Sequence, residues 1–123
     1  MENPRQAALE RPSVQDILVE GLSDWVDIGF ARQYVHDEVG EVPAVELREQ
    51  TLEVIGHLLD AGLVVAGDVW NGFTPWPLDP EAAVARIRAE WDEPAAELLP
   101  GDVCWFQITE AGTALARRIK PER

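Results

Sequence analysis

A chain of 123 residues with 46% apolar content suits one domain built on a single core, and it is too short for a second independent domain. Asp and Glu total 23 against 10 Lys and Arg, a formal charge of −13 that makes nucleic acid, anionic membrane and acidic substrates poor default partners. The only cysteine, Cys104, excludes an internal disulfide, and no apolar run reaches the roughly 20 residues of a membrane span. Residues 1–11 carry charges without a signal-like apolar stretch, so a cytoplasmic location is expected.

Residues 1–12 read as a flexible N-terminal segment and residues 13–120 as the domain. Ser13 is the expected cap of a first helix, whose stripe of Val14, Ile17, Leu18, Gly21, Leu22 and Trp25 recurs at three- and four-residue steps. A second helix should begin near Asp27, bury Ile28, Ala31, Tyr34 and Val35, and stop at Gly40. Pro43 suits the first turn of a third helix with Leu47, Leu52, Ile55, Leu58 and Leu59 on one side and Gly62 just past its end.

From Leu63 to about Val69 the small and β-branched residues predict a strand. Val103 to Ile108 predicts another, with Cys104, Phe106 and Ile108 on one face, and the two can pair antiparallel. Thr109 should cap a last helix that buries Ala111, Leu115 and Ile119 and carries Arg117, Arg118 and Lys120 at its C-terminal end, where the helix dipole favours cations. Residues 70–102, between the strands, are far more than a hairpin needs. They open with the turn-rich aromatic run Trp70-Asn71-Gly72-Phe73-Thr74-Pro75-Trp76-Pro77. A helix should follow, capped by Asp79 with Pro80 at its first position and Ala83, Val84, Ile87 and Trp91 on one side.

Two segments carry a family resemblance. Leu58-Leu59-Asp60-Ala61-Gly62-Leu63-Val64 looks like the junction of a recognition helix with a first wing strand, and Phe106-Gln107-Ile108-Thr109-Glu110-Ala111-Gly112 like the return strand meeting the last helix. In that order they resemble the second half of a winged helix-turn-helix domain of the kind found in bacterial regulators. The resemblance implies an α+β fold: three N-terminal helices, a two-stranded antiparallel wing with a helical insertion, and a C-terminal helix. It also implies that the third helix would enter the DNA major groove.

The outward residues of that helix argue against such a contact. Glu46, Glu49, Glu53 and Asp60 stand against Arg48, and the insertion adds Asp79, Glu81, Glu90, Asp92, Glu93, Glu97 and Asp102 against Arg86 and Arg88. Acids near phosphates raise the Coulomb energy, whereas DNA binders gain by releasing counterions with added cations. A DNA-binding regulator would have to rely on a basic surface assembled in a dimer from Arg117, Arg118 and Lys120 of the last helix, with Arg48 of the third helix added if the fold brings it near.

Catalytic groups are sparse. His36-Asp37-Glu38 lacks metal-ligand spacing, Ser13 and Ser23 lie in no nucleophile elbow, and no glycine-rich loop ends in Lys-Ser/Thr. Cys104, inside a predicted strand, reads as a buried thiol. The expectation is therefore a non-enzymatic module with no cofactor and no bound metal.

Trp70, Phe73, Trp76 and Trp91 either cover the sheet as a satellite core or anchor a partner. In the second case Trp70, Phe73 and Trp76, with Glu49 and Glu53, would form an acidic, tryptophan-bearing surface for a basic protein, in the manner of an inhibitor or immunity-type protein. A ligand pocket lined by Trp70, Trp76 and Trp105 is a further option.

Overall fold

The computed structural model describes residues 4–119. The order of elements is helix α1 (Pro4–Leu9), helix α2 (Pro12–Gly21), strand β1 (Val26–Asp27), helix α3 (Ile28–Val39), helix α4 (Ala44–Asp60), strand β2 (Val64–Val69), strand β3 (Phe73–Pro75), helix α5 (Pro80–Glu90), strand β4 (Trp105–Ile108) and helix α6 (Glu110–Ile119). The fold is α+β: among the described residues, six helices and one antiparallel sheet in the order β1-β4-β2-β3. No helix among the described residues is long and apolar enough to cross a membrane.

Local chemistry explains most helix ends. The Asp27 carboxylate accepts the Phe30 amide at 3.0 Å and starts α3, and Asp79 does the same for Ala82 at 2.8 Å in α5. Helix α4 ends where Gly62 takes φ 72°, which lets its amide reach Leu59 O and the Leu63 amide reach Leu58 O, each at 3.0 Å. Those paired bonds satisfy carbonyls that the last turn would leave bare.

Strands β2 and β4 pair as expected, with Ala66 opposite Phe106 and Val65 opposite Gln107. Thr109 binds the two ends of this pair together: its hydroxyl donates to Gly62 O at 2.7 Å and accepts the Gly112 amide at 3.0 Å. Its own amide donates to Leu63 O at 3.0 Å. Helices α2, α3 and α4 close over the sheet's inner face, where Val14, Ile17, Leu18, Val26, Val35, Ile55, Ala66 and Phe106 form the core.

Several expectations change. The two strands expected to form a wing are part of a four-stranded sheet, because β1 adds beside β4 and β3 beside β2. A two-residue strand has no period to read, and β3 sits in a run whose prolines and glycine signal turns. Four helices, not three, precede β2, since α1 lies within the segment expected to be flexible. Ser13 is not a cap: it lies one residue inside α2, whose N-cap position is Arg11. Trp25 falls beyond the end of α2 and stacks on Phe73 with ring centroids 6.3 Å apart. Ala111 is exposed, and the buried face of α6 is Gly112, Ala116 and Ile119. Ile119 is buried as expected and Leu115 is partly buried against the core, while Gly112 takes the closest approach to Leu63, where only glycine fits.

Ser13 has a different role. Fully buried, it donates both its amide and its hydroxyl to one oxygen of Glu38, while Arg11 Nε donates to the other at 2.9 Å. Burial alone would raise the Glu38 carboxyl, but the Ser13 hydrogen bonds and the Arg11 charge together hold it below the usual glutamate range. A depressed folded-state pKa contributes stability that is complete above the unfolded value, about 4.3, and is lost as pH falls through the folded value. Glu38→Gln is expected to cost about 1–2 kcal/mol at pH 7, and the gap to the parent should close on acidification below about pH 4. Urea unfolding at a series of pH values measures this; a gap independent of pH would contradict it.

Candidate partner interface

The insertion folds back onto α4. Helix α5 runs antiparallel to it: Arg48 Nη1 donates to Trp91 O at 3.1 Å, Arg88 Nη2 meets Glu49 Oε1 at 2.8 Å, and a Cβ on Gly56 would touch Val84 at 3.8 Å. The underside of α5 supplies the reason, since Ala83, Ile87 and, just past its end, Trp91 are buried. Burying such side chains contributes roughly 1.5–3 kcal/mol for each large one, far more than the exposed ion pairs at the rim.

This cover uses up cations. Arg48, with 16% of its side chain exposed, also donates from Nε to Glu49 at 3.1 Å. The hydrogen bond from Arg88 and its charge lower the Glu49 carboxyl below the ordinary range and raise Arg88 in turn. Between the helices lies an open groove of about 490 Å3, lined by Gly56, Val84 and Ala85, by the acids Glu53, Asp60 and Glu81, and by Arg88, which is paired with Glu49. His57 also lines it, with Nε2 3.9 Å from Glu53, whose other oxygen is 3.8 Å from Arg11.

The expected patch of Trp70, Phe73, Trp76, Glu49 and Glu53 does not form as one surface. Trp70 is 82% exposed at the tip of the β2–β3 hairpin, where Asn71 and Gly72 turn through positive φ. Phe73 is half-buried against Trp25, on the sheet. Trp76 is buried: its indole donates to Asp68 at 3.0 Å, and the Arg86 guanidinium lies 3.8 Å above its ring. Trp91 is buried as well, so two of the four aromatic residues of the insertion belong to the core. Glu49 and Glu53 lie on α4, an element separate from the hairpin.

Neither Trp70 nor Trp105 lines the cavity that Trp76 lines. The cavity that Trp76 lines, about 180 Å3, is completed by aliphatic residues such as Leu59, Val64 and Leu78. Of the basic residues considered for DNA, Arg48 is engaged as described, Arg117 and Arg118 are exposed on the last turn of α6, and Lys120 lies outside the described residues.

Two more groups bear on chemistry. Cys104 is buried and burial pushes its thiol up, which keeps it protonated and poorly nucleophilic. The β3 edge resists strand addition. Bonds from Trp70 N to Gly72 O and from Trp76 N to Ala66 O set the alternation of the ladder, so Phe73 and Pro75 direct their backbone outward, and Pro75 has no N–H to offer.

Sequence reasoning missed the contact of α5 with α4 and the pairing of Trp25 with Phe73. Neither has a local signal, since each joins residues far apart in the chain. No protein-family model, curated protein or solved structure matches this chain.

Proposed function

We propose that this protein is a non-enzymatic, winged-helix-like binding module that takes a basic protein partner at the groove between α4 and α5, in the manner of an inhibitor or immunity-type protein. The observation that carries this reading is the cover over α4. In the winged-helix arrangement that helix would approach DNA, and here α5 lies along it, with Arg48 and Arg88 held in intramolecular contacts. Glu53, Asp60 and Glu81 at the groove would repel phosphates and attract lysine or arginine. Trp70, exposed on the hairpin, supplies a separate anchor of the type that concentrates binding energy.

The test is affinity capture from the native host at low and high salt, with the parent chain and with Glu53→Lys/Glu81→Lys as baits. A partner held by this groove is captured by the parent at low salt, weakens at high salt, and is lost with the double reversal. Failure of the parent to retain any basic protein at low salt would sink the proposal.

A second reading, a DNA-binding regulator, is favoured by one observation: exposed Arg117 and Arg118 have no carboxylate partner among the described residues. A gel shift with upstream DNA, abolished by reversing both charges, would support it over the first.

A further inference from the structure

A second cleft, sharing no lining residue with the α4–α5 groove, opens beside α3 with a volume of about 370 Å3. One wall is a single face of α3, where Arg32, Gln33 and His36 follow one another at helical spacing. Leu47 of α4 and Leu98 add apolar surface, and Glu97, from the coil after α5, adds a carboxylate. Gly29 completes the lining, and a Cβ there would come within 3.2 Å of Leu98 O, so the close approach of that coil to α3 depends on glycine.

Arg32 is the unusual member. Arg11, Arg48, Arg86 and Arg88 each pair with a glutamate. Arg117 and Arg118 sit at a helix C-terminus, where the dipole favours them. Arg32 has neither a carboxylate partner among the described residues nor a helix end, in a chain with 23 acids against 10 bases. It is nevertheless held in place: one Nη donates to Ala96 O at 3.4 Å, and the guanidinium lies 5.9 Å from the Trp91 ring. An oriented guanidinium with unused donors is suited to a carboxylate, which it can grip with two parallel hydrogen bonds.

We propose that this cleft binds a small zwitterion, an α-amino acid with an apolar side chain. Its carboxylate pairs with Arg32, its ammonium with Glu97, and its side chain packs on Leu47 and Leu98. The net charge selects the class: a chain at −13 repels a simple anion from its whole surface, whereas a zwitterion carries no net charge into that field. Glu97 points the same way, since it opposes a lone carboxylate and rewards an adjacent ammonium. His36, whose Nε2 lies 3.1 Å from Glu41, and Gln33, whose amide donates to Asp37 at 2.9 Å, are already engaged and shape the wall.

The probe is L-leucine, titrated calorimetrically and by thermal shift into the full chain, with 4-methylpentanoate and 3-methylbutylamine as analogues lacking the ammonium or the carboxylate. Leucine should bind at millimolar or better, and each analogue should bind at least about tenfold more weakly. Arg32→Gln should abolish binding, and Glu97→Gln, an exposed change that leaves the fold alone, should weaken leucine by about tenfold and leave 4-methylpentanoate no weaker. The proposal is overturned if leucine produces no response, if Arg32→Gln binds as the parent does, or if 4-methylpentanoate matches leucine.

Discussion

Gly112→Ala is expected to destabilise the protein by about 3 kcal/mol or more, the reverse of what helix propensity predicts. Alanine in a helix interior is favoured over glycine by about 1 kcal/mol, so a free helix would gain. In the folded chain a Cβ at this position would fall on the carbonyl oxygen of Leu63 and lie 2.7 Å from Ile108 Cγ1. Leu63 O cannot retreat cheaply, because it accepts the Thr109 amide at 3.0 Å and belongs to the junction where Thr109 joins β4 to the end of α4. The substitution therefore either pushes α6 off the sheet or breaks that junction. Urea unfolding of Gly112→Ala beside Ala114→Gly, an exposed helical control, separates the effects. The control should lose about 1 kcal/mol by propensity alone. A neutral or stabilised Gly112→Ala would mean that α6 does not dock as described.

Trp91→Ala should cost about 3–5 kcal/mol, because the ring is 2% exposed and its removal leaves a cavity under the end of α5. Trp91→Phe should cost far less, within about 1.5 kcal/mol. Phenylalanine keeps an aromatic ring in the site and leaves a smaller cavity than alanine, and either variant removes the indole N–H, which is buried with no hydrogen-bond partner among the described residues. An unsatisfied buried donor costs about 1–3 kcal/mol, so phenylalanine loses volume but also removes that penalty. The main chain at this position still accepts the Arg48 hydrogen bond in either variant. Hydrogen exchange should register Trp91→Ala first in residues 80–90, before the sheet, if that ring holds α5 on α4. Uniform loss of protection across the chain would instead make Trp91 part of the global core. Equal destabilisation by alanine and phenylalanine would contradict the cavity argument.

Much of the local structure can be read from residue type and spacing. Asp79 caps its helix as expected, a helix begins at Asp27 as expected, Gly40 and Gly62 stop two helices at positive φ, and Thr109 starts α6. These succeed because a cap or a stop is decided by a few neighbouring residues, whose backbone groups have no other partner. Ser13 fails by the same standard, since its local chemistry suits a cap, yet a carboxylate 25 positions away takes both of its donors. Strands β1 and β3 are invisible for a related reason: a strand of two or three residues is defined by the neighbour it pairs with.

The candidate site divides along the same line. Charge, the lack of an internal disulfide, the helix and strand signals and the concentration of tryptophans in residues 70–102 are legible from the residues alone, because they follow from counts and short spacings. Which aromatics are available depends on how the folded segments pack. Trp70 is left out in solvent, while Trp76 is sealed by Asp68 and Arg86 and Trp91 by the packing of α5. That packing also decides that α5 lies along α4 with Arg48 and Arg88 engaged between them, and that Arg32 is left without an acid among the described residues. The physical reason is that burial and pairing are settled between segments far apart in the chain, by which apolar faces meet and which charges those meetings bring within reach.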